Sequence, residues 1–441
     1  MLKTFTKGGI HPPENKFYSQ NYIVPPSLPE IIKIPLSQHI GMPAKAIVKR
    51  RDFVKTGQLI GKANGFISAN IHSSVTGTIQ NIESIIDVSG FRKDSISIKT
   101  EPDQWVEGID LDTEIKEDIN LTSTNILKKI QNAGIVGMGG ATFPTHVKLL
   151  IPKGKIAKVL IINGVECEPY LTSDHQLMLE HGREIIIGAK LLMHALQVNR
   201  CVIGIENNKK DAIKYFKKLT KKDKEIEIVS LKVKYPQGGE KQLIKAVIRK
   251  EVPSGKLPVD VGAIVQNVGT VFAVYEAVQK NKPLIERMVT VTGENIVKPS
   301  NYFCRIGTSI QHLIKLTNCK TEEVGKIIHG GPMMGKAIPS FDIPITKGTS
   351  GILLFKKESV LRKEVFPCIR CANCTEVCPM GLEPFLLMTL AERKLFKRVK
   401  KELILNCIEC GSCNYICPSN RPLLDYIRLG KSQTNKIVKQ P

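Results

Sequence analysis

Two stretches of this 441-residue chain carry side chains suited to inorganic chemistry. "CIRCANCTEVCP" runs from Cys368 to Pro379, and "CIECGSCNYICP" runs from Cys407 to Pro418. Both read C-x2-C-x2-C-x3-C-P. Three thiolates two residues apart wrap a compact turn around one corner of an inorganic cube. The fourth, followed by proline, lies on the exit from that turn. This is the spacing of bacterial-type [4Fe–4S] binding, in which the fourth cysteine of each run ligates the other cluster. The pattern therefore assigns Cys368, Cys371, Cys374 and Cys417 to one cube, and Cys378, Cys407, Cys410 and Cys413 to the second. Structural zinc favours cysteine pairs separated by a longer gap, which these triplets do not match. Two cubes tied by each other's fourth ligands must sit close together, as an electron relay requires. The remaining cysteines, Cys167, Cys201, Cys304 and Cys319, have no partner spacing and read as buried or incidental.

The element that positions the two knots lies between them. In "MGLEPFLLMTLAERKLFKRVKKELIL", Leu382, Phe385, Leu386, Thr389 and Leu390 recur at three- and four-residue steps, which predicts helix. The expected module is a helical ferredoxin.

A second constellation lies upstream. "GIVGMGGATFPTHVK" (134–148) follows the amphipathic segment "TNILKKIQNAG". Clustered glycines let backbone N–H groups approach an anion, and they also make ordinary tight turns. "KVLIINGVECEPYLTSD" then predicts a buried strand over 158–162, with Asn163, Glu166 and Glu168 at its carboxyl end. In α/β folds that end is where ligands bind. An asparagine there offers a donor and an acceptor to a heterocycle or ribityl chain, and the carboxylates accept from hydroxyls. "KYPQGGEKQLI" (234–244) adds a glycine pair. "DVGAIVQNVGTVFAVYEAV" (260–278) adds a strand, a polar tip of Gln266, Asn267 and Thr270, and a helix. Alternating strands and helices over 155–280 predict a mainly parallel sheet.

The whole chain bounds these readings. Lys and Arg outnumber Asp and Glu by 64 to 41, a formal net charge of +23. That excess suits an anionic partner such as a membrane surface, and compositional bias accounts for part of it. Nucleic acid is disfavoured: aromatic residues are 5% of the chain with a single Trp, so stacking platforms are scarce, and no groove-reading motif is present. The first sixteen residues lack an apolar signal region, and no apolar run reaches membrane-spanning length. The expectation is a peripheral protein with no transmembrane segment.

"GMGGATFPTHVK", "NGVECEP", "YPQGGEKQL" and "QNVGT", followed by the twin cysteine motif, resemble the RnfC component of the Rnf-type (Rsx-type) electron transport complex, along nearly the whole chain. The central domain also resembles the flavin- and NADH-binding subunit of respiratory complex I. The resemblance implies a peripheral subunit on the cytoplasmic face of the bacterial inner membrane. Its expected partners are the other subunits of an ion-translocating complex, NAD(H), a ferredoxin and an anionic membrane surface. It implies two [4Fe–4S] clusters, FMN as cofactor and NAD(H) as substrate. By the same resemblance Gly137, Gly139 and Gly140 form a loop over the flavin. Lys148, Asn163, Glu166, Gly238, Gln266, Asn267 and Thr270 contact it, and Glu168 and Glu240 lie nearer the nicotinamide nucleotide. The chain departs from the complex I pattern at Met138, Val165 and Gly239, where that pattern has an arginine and two carboxylates. An alternative reading keeps the clusters and makes the central domain a scaffold without flavin, leaving an electron-transfer adaptor.

The implied fold class is multidomain α/β. Residues 1–110 resemble a biotinyl/lipoyl-like barrel-sandwich without a carrier lysine, with His72 a turn residue. Residues 111–284 form the α/β flavin-binding domain. Residues 285–358 resemble a ligand-binding β-grasp module in which Met333, Met334 and His329 fill structural roles. Residues 359–430 form the α-helical ferredoxin domain, and 431–441 a polar, disordered tail.

Overall fold

The computed structural model of the chain describes residues 2–17, 27–317 and 319–439. At its centre is a four-stranded parallel sheet, in the order Ile226–Leu231, Cys201–Glu206, Val159–Gly164, Ala263–Asn267. The period-2 burial of these strands explains why the sheet is covered on both faces. Leu160 and Ile162 enter one core with Cys201, Ile203 and Ile205, while Val159 and Ile161 enter the opposite core with Val202 and Val265. The helices Gly182–Leu196 and Val268–Gln279 cover the first face, and Glu240–Ile248 covers the second.

From Val159–Gly164 the chain winds outward to one side through two strands, then returns to place Ala263–Asn267 on the other side. The strand order therefore reverses between Val159–Gly164 and Ala263–Asn267. In open α/β sheets the crevice at such a reversal is where ligands bind. In register Asn163 faces Asn267 across this point.

Two sheets of four and three strands build the N-terminal module around Ile32, Ile34, Val54, Ile60, Ile71, Ile96 and Ile98. A third module carries a five-stranded mixed sheet. Its strand Glu286–Gly293 runs parallel to Gly351–Lys356 and antiparallel to Ser300–Arg305, and the helix Ile310–Lys315 adds Ile310, Leu313 and Ile314 to its core.

The C-terminal module is helical. Pro384–Glu392 packs on Leu423–Lys439 around Leu387, Met388, Leu390, Val399, Ile404 and Ile427. The expected apolar stripe is rotated: Phe385 is 41% exposed, and Leu387 and Met388 face inward in its place. The polar tail expected to be disordered beyond residue 430 is helical to Lys439. Leu423, Leu424, Ile427 and Thr434 are buried at helical spacing, so one face of the segment has a surface to dock on. Residues 440–441 lie outside the described residues. Among the described residues no helix is long and apolar enough to cross a membrane.

Candidate functional site

The glycine loop sits at the sheet reversal and is gripped from beneath. The Gly137 N–H donates to the Phe143 carbonyl at 2.8 Å, closing the loop on itself. The Met138 N–H donates to Thr270 Oγ1 at 2.9 Å, and the Met138 carbonyl accepts from Arg287 Nη2 at 2.8 Å. Both backbone groups of Met138 are thus fixed from the buried side, while Gly139 and Gly140 stay exposed above. A Cβ on Gly139 would stand 3.2 Å from Asn267 Cβ, and Gly140 has φ +140 with open space around it. The result is a bare backbone shelf whose upper side the protein leaves unfilled.

Around the shelf the strand ends are tied to one another. Asn267 caps the following helix through Gly269 N–H and donates from Nδ2 to Asp174 Oδ2 at 2.7 Å. Asn163 donates from Nδ2 to the Gly238 carbonyl at 2.9 Å. Gly238 lies against Cys167, where a Cβ would approach Sγ to 3.1 Å. Lys148 Nζ meets Glu240 Oε1 at 2.6 Å, at the first turn of the helix Glu240–Ile248. Gln266 Nε2 is buried and has no hydrogen-bond partner among the described residues. An orphaned amide beside an open backbone shelf and a helix N-terminus fits a polar, anionic heterocycle such as FMN.

The structure therefore gathers Gly137, Gly139, Gly140, Lys148, Asn163, Gly238, Glu240, Gln266, Asn267 and Thr270 around one carboxyl edge. Two further expected residues are held by backbone groups. Glu166, at φ +46, accepts from the Asp174 N–H at 2.7 Å and neighbours Lys16 Nζ at 3.9 Å, so it caps the helix Ser173–Glu180. Glu168 accepts from the Met333 and Met334 N–H groups at 3.0 and 2.8 Å. Burial pushes its carboxyl up to about 7, against the opposing pull of those two N–H groups. Met333 and Met334 thereby join the third module to the central one through their backbone. His329 Nε2 lies 2.7 Å from Thr349 Oγ1, a part-buried contact, with desolvation holding the ring's pKa down at about 4. His72 is half-buried, and desolvation depresses it to about 3.

Arg287, Asp174 and Tyr235 are contributors that sequence reasoning missed. A buried arginine inside the apolar strand "ERMVTVTG" was the one available signal. Burial lowers the Arg287 pKa, and the negative charge of Asp174 raises it.

The cysteine knots repeat one backbone path. Arg370 and Ala372 flank Cys371 at φ 58 and 62, and Glu409 and Gly411 flank Cys410 at φ 57 and 77. Left-handed residues on both sides of the middle cysteine turn the chain back on itself in each motif, at a steric cost at the non-glycine positions. Neighbouring thiols fall into two sets. Cys374 feels the charges of Cys417 and Cys368, whereas Cys413 feels those of Cys410, Cys407 and Cys378. The second quartet lines a small apolar pocket, walled otherwise by residues such as Leu382, Leu387, Ile408 and Leu424. Among the described residues no three His, Cys, Asp or Glu groups converge to hold a single metal ion. Four thiols spread around an apolar cavity suit a cube. The Glu409 N–H donates to Cys407 Sγ and the Leu382 N–H to Cys378 Sγ, both at 3.3 Å. Such N–H···S contacts tune cluster potentials. Burial pushes the Cys407 thiol up to about 11, so metal binding here must release protons.

The quartets differ in setting. Cys378, Cys410 and Cys413 are buried, while Cys368 and Cys371 are exposed. The buried one abuts the central domain: Tyr235 OH donates to the Cys410 carbonyl at 2.8 Å.

A parallel sheet with a glycine shelf at its strand-order reversal, joined to a helical module of two thiol quartets, defines an iron–sulfur flavoprotein of the electron-transfer class. Family profiles agree in parts: the RnfC barrel sandwich hybrid domain matches residues 4–103, the Nuo51 FMN-binding domain 130–276, and a 4Fe-4S dicluster domain 361–419. The chain is 46% identical over 98% of its length to the C component of the proton-translocating ferredoxin:NAD(+) oxidoreductase complex of Clostridium ljungdahlii, covering 94% of that protein. It is 44% identical over 97% of its length to the C component of the Na(+)-translocating complex of Acetobacterium woodii, covering 96%. The C component of the ion-translocating oxidoreductase complex of Rhodobacter capsulatus is 40% identical over 88% of the chain and 75% of that protein. The chain belongs to the RnfC family, a component of Rnf-type ion-translocating ferredoxin:NAD+ oxidoreductase complexes. A chain of NAD+-reducing [NiFe]-hydrogenase shares the fold at TM-score 0.50 and 18% identity, over 70% of this chain and 63% of that one.

Proposed function

We propose that this chain is the peripheral redox subunit of a membrane-bound complex that couples electron transfer between NAD(H) and a ferredoxin-level carrier to ion translocation, at the cytoplasmic face of the inner membrane. The observation that carries this is the junction at Tyr235. The turn holding Gly238 beside the shelf also carries the tyrosine bonded to Cys410, so a flavin-type site and a cluster-type site share one segment.

When bound, FMN supplies the conversion between a two-electron hydride and single electrons, and the two [4Fe–4S] clusters supply one-electron stores. The chain's own residues do the rest. Gly137, Gly139 and Gly140 present backbone to the ring system. Gln266, Asn163 and Asn267 supply amide donors and acceptors. The Glu240–Ile248 N-terminus with Lys148 supplies positive potential for a phosphate. Glu168 and Glu240 are the carboxylates proposed near the nicotinamide nucleotide; Glu240 pairs with Lys148, and Glu168 accepts from the Met333 and Met334 N–H groups. The quartet Cys378, Cys407, Cys410 and Cys413 faces the flavin domain. The exposed quartet Cys368, Cys371, Cys374 and Cys417 faces outward, toward a partner.

We keep the domain limits 1–110, 111–284, 285–358 and 359–430 and a β-grasp identity for the third module as part of this reading; separate sheets and cores support the division, except that residues 3–16 pack on the central and cysteine modules. Exposed lysines on the helices Lys210–Leu219 and Phe396–Lys401 supply basic surface. Near an anionic leaflet each such charge adds about 1 kcal/mol.

Anaerobically purified full chain tests the reading. About eight iron per chain are expected from two four-iron clusters, together with flavin released on denaturation and bleaching of both by NADH. Iron without flavin would favour the adaptor, and absence of iron would overturn both.

A further inference from the structure

Residues 3–16 do not behave as part of the barrel-sandwich module that follows them. Their hydrogen bonds run to the central domain and to the cysteine module. Lys3 adds to the edge of the parallel sheet: its N–H donates to the Ser230 carbonyl at 3.2 Å, and its own carbonyl accepts from the Lys232 N–H at 2.9 Å. Phe5 is buried at 2% exposure, with Lys234 Nζ 4.2 Å above its ring. The chain then crosses to the clusters. The Gly9 N–H donates to the Val377 carbonyl at 2.8 Å, and Gly8 lies so close that a Cβ would stand 2.6 Å from Val377 O and from the Cys378 peptide. Gly8 has φ +68, so its glycine is required by conformation as well as by approach. Ile10 returns to the central domain through paired bonds with Tyr235, at 2.8 and 2.9 Å. Finally Lys16 Nζ donates to the carbonyls of Glu166 and Glu168, at 2.9 and 3.1 Å.

The segment therefore touches Cys378, a thiol of the buried quartet, and Tyr235, which is bonded to another member, Cys410. Ile10, Tyr235 and Cys410 form one small core, against which Cys167, Met333, Val377 and Ile408 pack. Tyr235, Gln242 and Ser254 also reach the cysteine module, and this strand of backbone adds a bridge between the two.

We infer that residues 3–16 are a strap that positions the Cys378–Cys407–Cys410–Cys413 quartet against the flavin domain for electron transfer, Gly8 and Ile10 being its positioning residues. The inference rests on the reading of FMN and clusters given above. One NADH gives up two electrons, one for each cube, and leaves as NAD+ with one proton released. The strap adds no chemistry; it sets the separation across which the electrons pass.

Stopped-flow reduction of the anaerobic full chain by NADH tests this with Gly8→Ala and, leaving the backbone path intact, Ile10→Ala. Iron and flavin per chain and the rate of flavin bleaching are expected to match the unmutated chain. Cluster bleaching is expected to slow by about tenfold, since ångström-scale misplacement costs rate steeply. Hydrogen exchange supplies a readout free of cofactor chemistry: peptides over 234–238 and 374–380 are expected to exchange faster in both variants. Cluster bleaching at the unmutated rate in both variants, unchanged exchange, or loss of iron from both would overturn the strap. A lack of NADH-driven flavin bleaching in the unmutated chain would instead sink the flavin reading, with exchange still judging the strap.

Discussion

Arg287 Nη2 donates to the Met138 carbonyl at 2.8 Å, across 149 residues of sequence, while Arg287 Nε donates to the Thr349 carbonyl at 2.7 Å. A single guanidinium from the third module thus fixes the underside of the glycine loop in the second. Its planar fork makes both bonds at once, which a lysine cannot reproduce.

Replacing Arg287 by Met should therefore loosen the shelf. Two carbonyls and the neighbouring Asp174 lose a buried partner, and breaking such an arrangement costs about 3–5 kcal/mol. The expected outcome is a lower denaturant midpoint and less flavin released per chain, with iron content unchanged. Arg287→Lys should recover part of the stability and less of the flavin.

Cross-ligation predicts an asymmetry between double variants. Cys374→Ser with Cys417→Ser removes two ligands of one cube and should leave about four iron per chain. Cys374→Ser with Cys378→Ser removes one ligand from each and should lower both clusters together. Iron analysis and EPR of the reduced proteins separate the two patterns; the reverse pattern, with about four iron left by Cys374→Ser/Cys378→Ser and both clusters lowered by Cys374→Ser/Cys417→Ser, would show that the fourth cysteines do not cross.

Tyr235→Phe keeps the ring and deletes one hydroxyl. Loss of its bond to the Cys410 carbonyl should cost about 1 kcal/mol of stability. It should also shift the midpoint of one cluster signal while the other stays in place. A redox titration followed by EPR reads this, and movement of both signals or neither would contradict the placement of Cys410 beside the flavin domain.

Glu168 gives a pH prediction with a defined sign. Its folded value, raised by burial to about 7, lies above the ordinary 4.5, so the folded chain holds the proton more tightly than the unfolded one. Stability relative to Glu168→Gln should increase as pH falls through about 7 toward 4.5. Urea midpoints of the two proteins at pH 8 and pH 6 measure the change, and a difference (unmutated minus variant) that falls on acidification would refute it.

Local pattern carried much of this. The Val159–Gly164 strand was legible from its apolar run, the paired cysteine motifs from spacing, and the glycine loop from composition, because each depends on residues near one another in sequence. The carboxylates were harder. Glu166 and Glu168 looked like ligands because they follow a strand end, yet backbone N–H groups of Asp174, Met333 and Met334 occupy them. Whether a carboxylate faces ligand or protein depends on which distant amides reach it first. The last helix was misjudged for a related reason: its polar residues hide a docking face that exists only once Pro384–Glu392 is in place.

By itself the sequence determined the donor atoms and their chemistry: eight thiols at cube spacing, glycines at a strand end, amides at the tip of a second strand. These follow from covalent order and local conformational preference. Only the tertiary structure decided that Arg287 grips the loop, that Cys410 lies against Tyr235 while Cys368 and Cys371 are exposed, and that residues 3–16 span the central and cysteine modules. Those are contacts between segments far apart in the chain, selected by shape and hydrogen-bond satisfaction in the packed interior, where no local pattern records them.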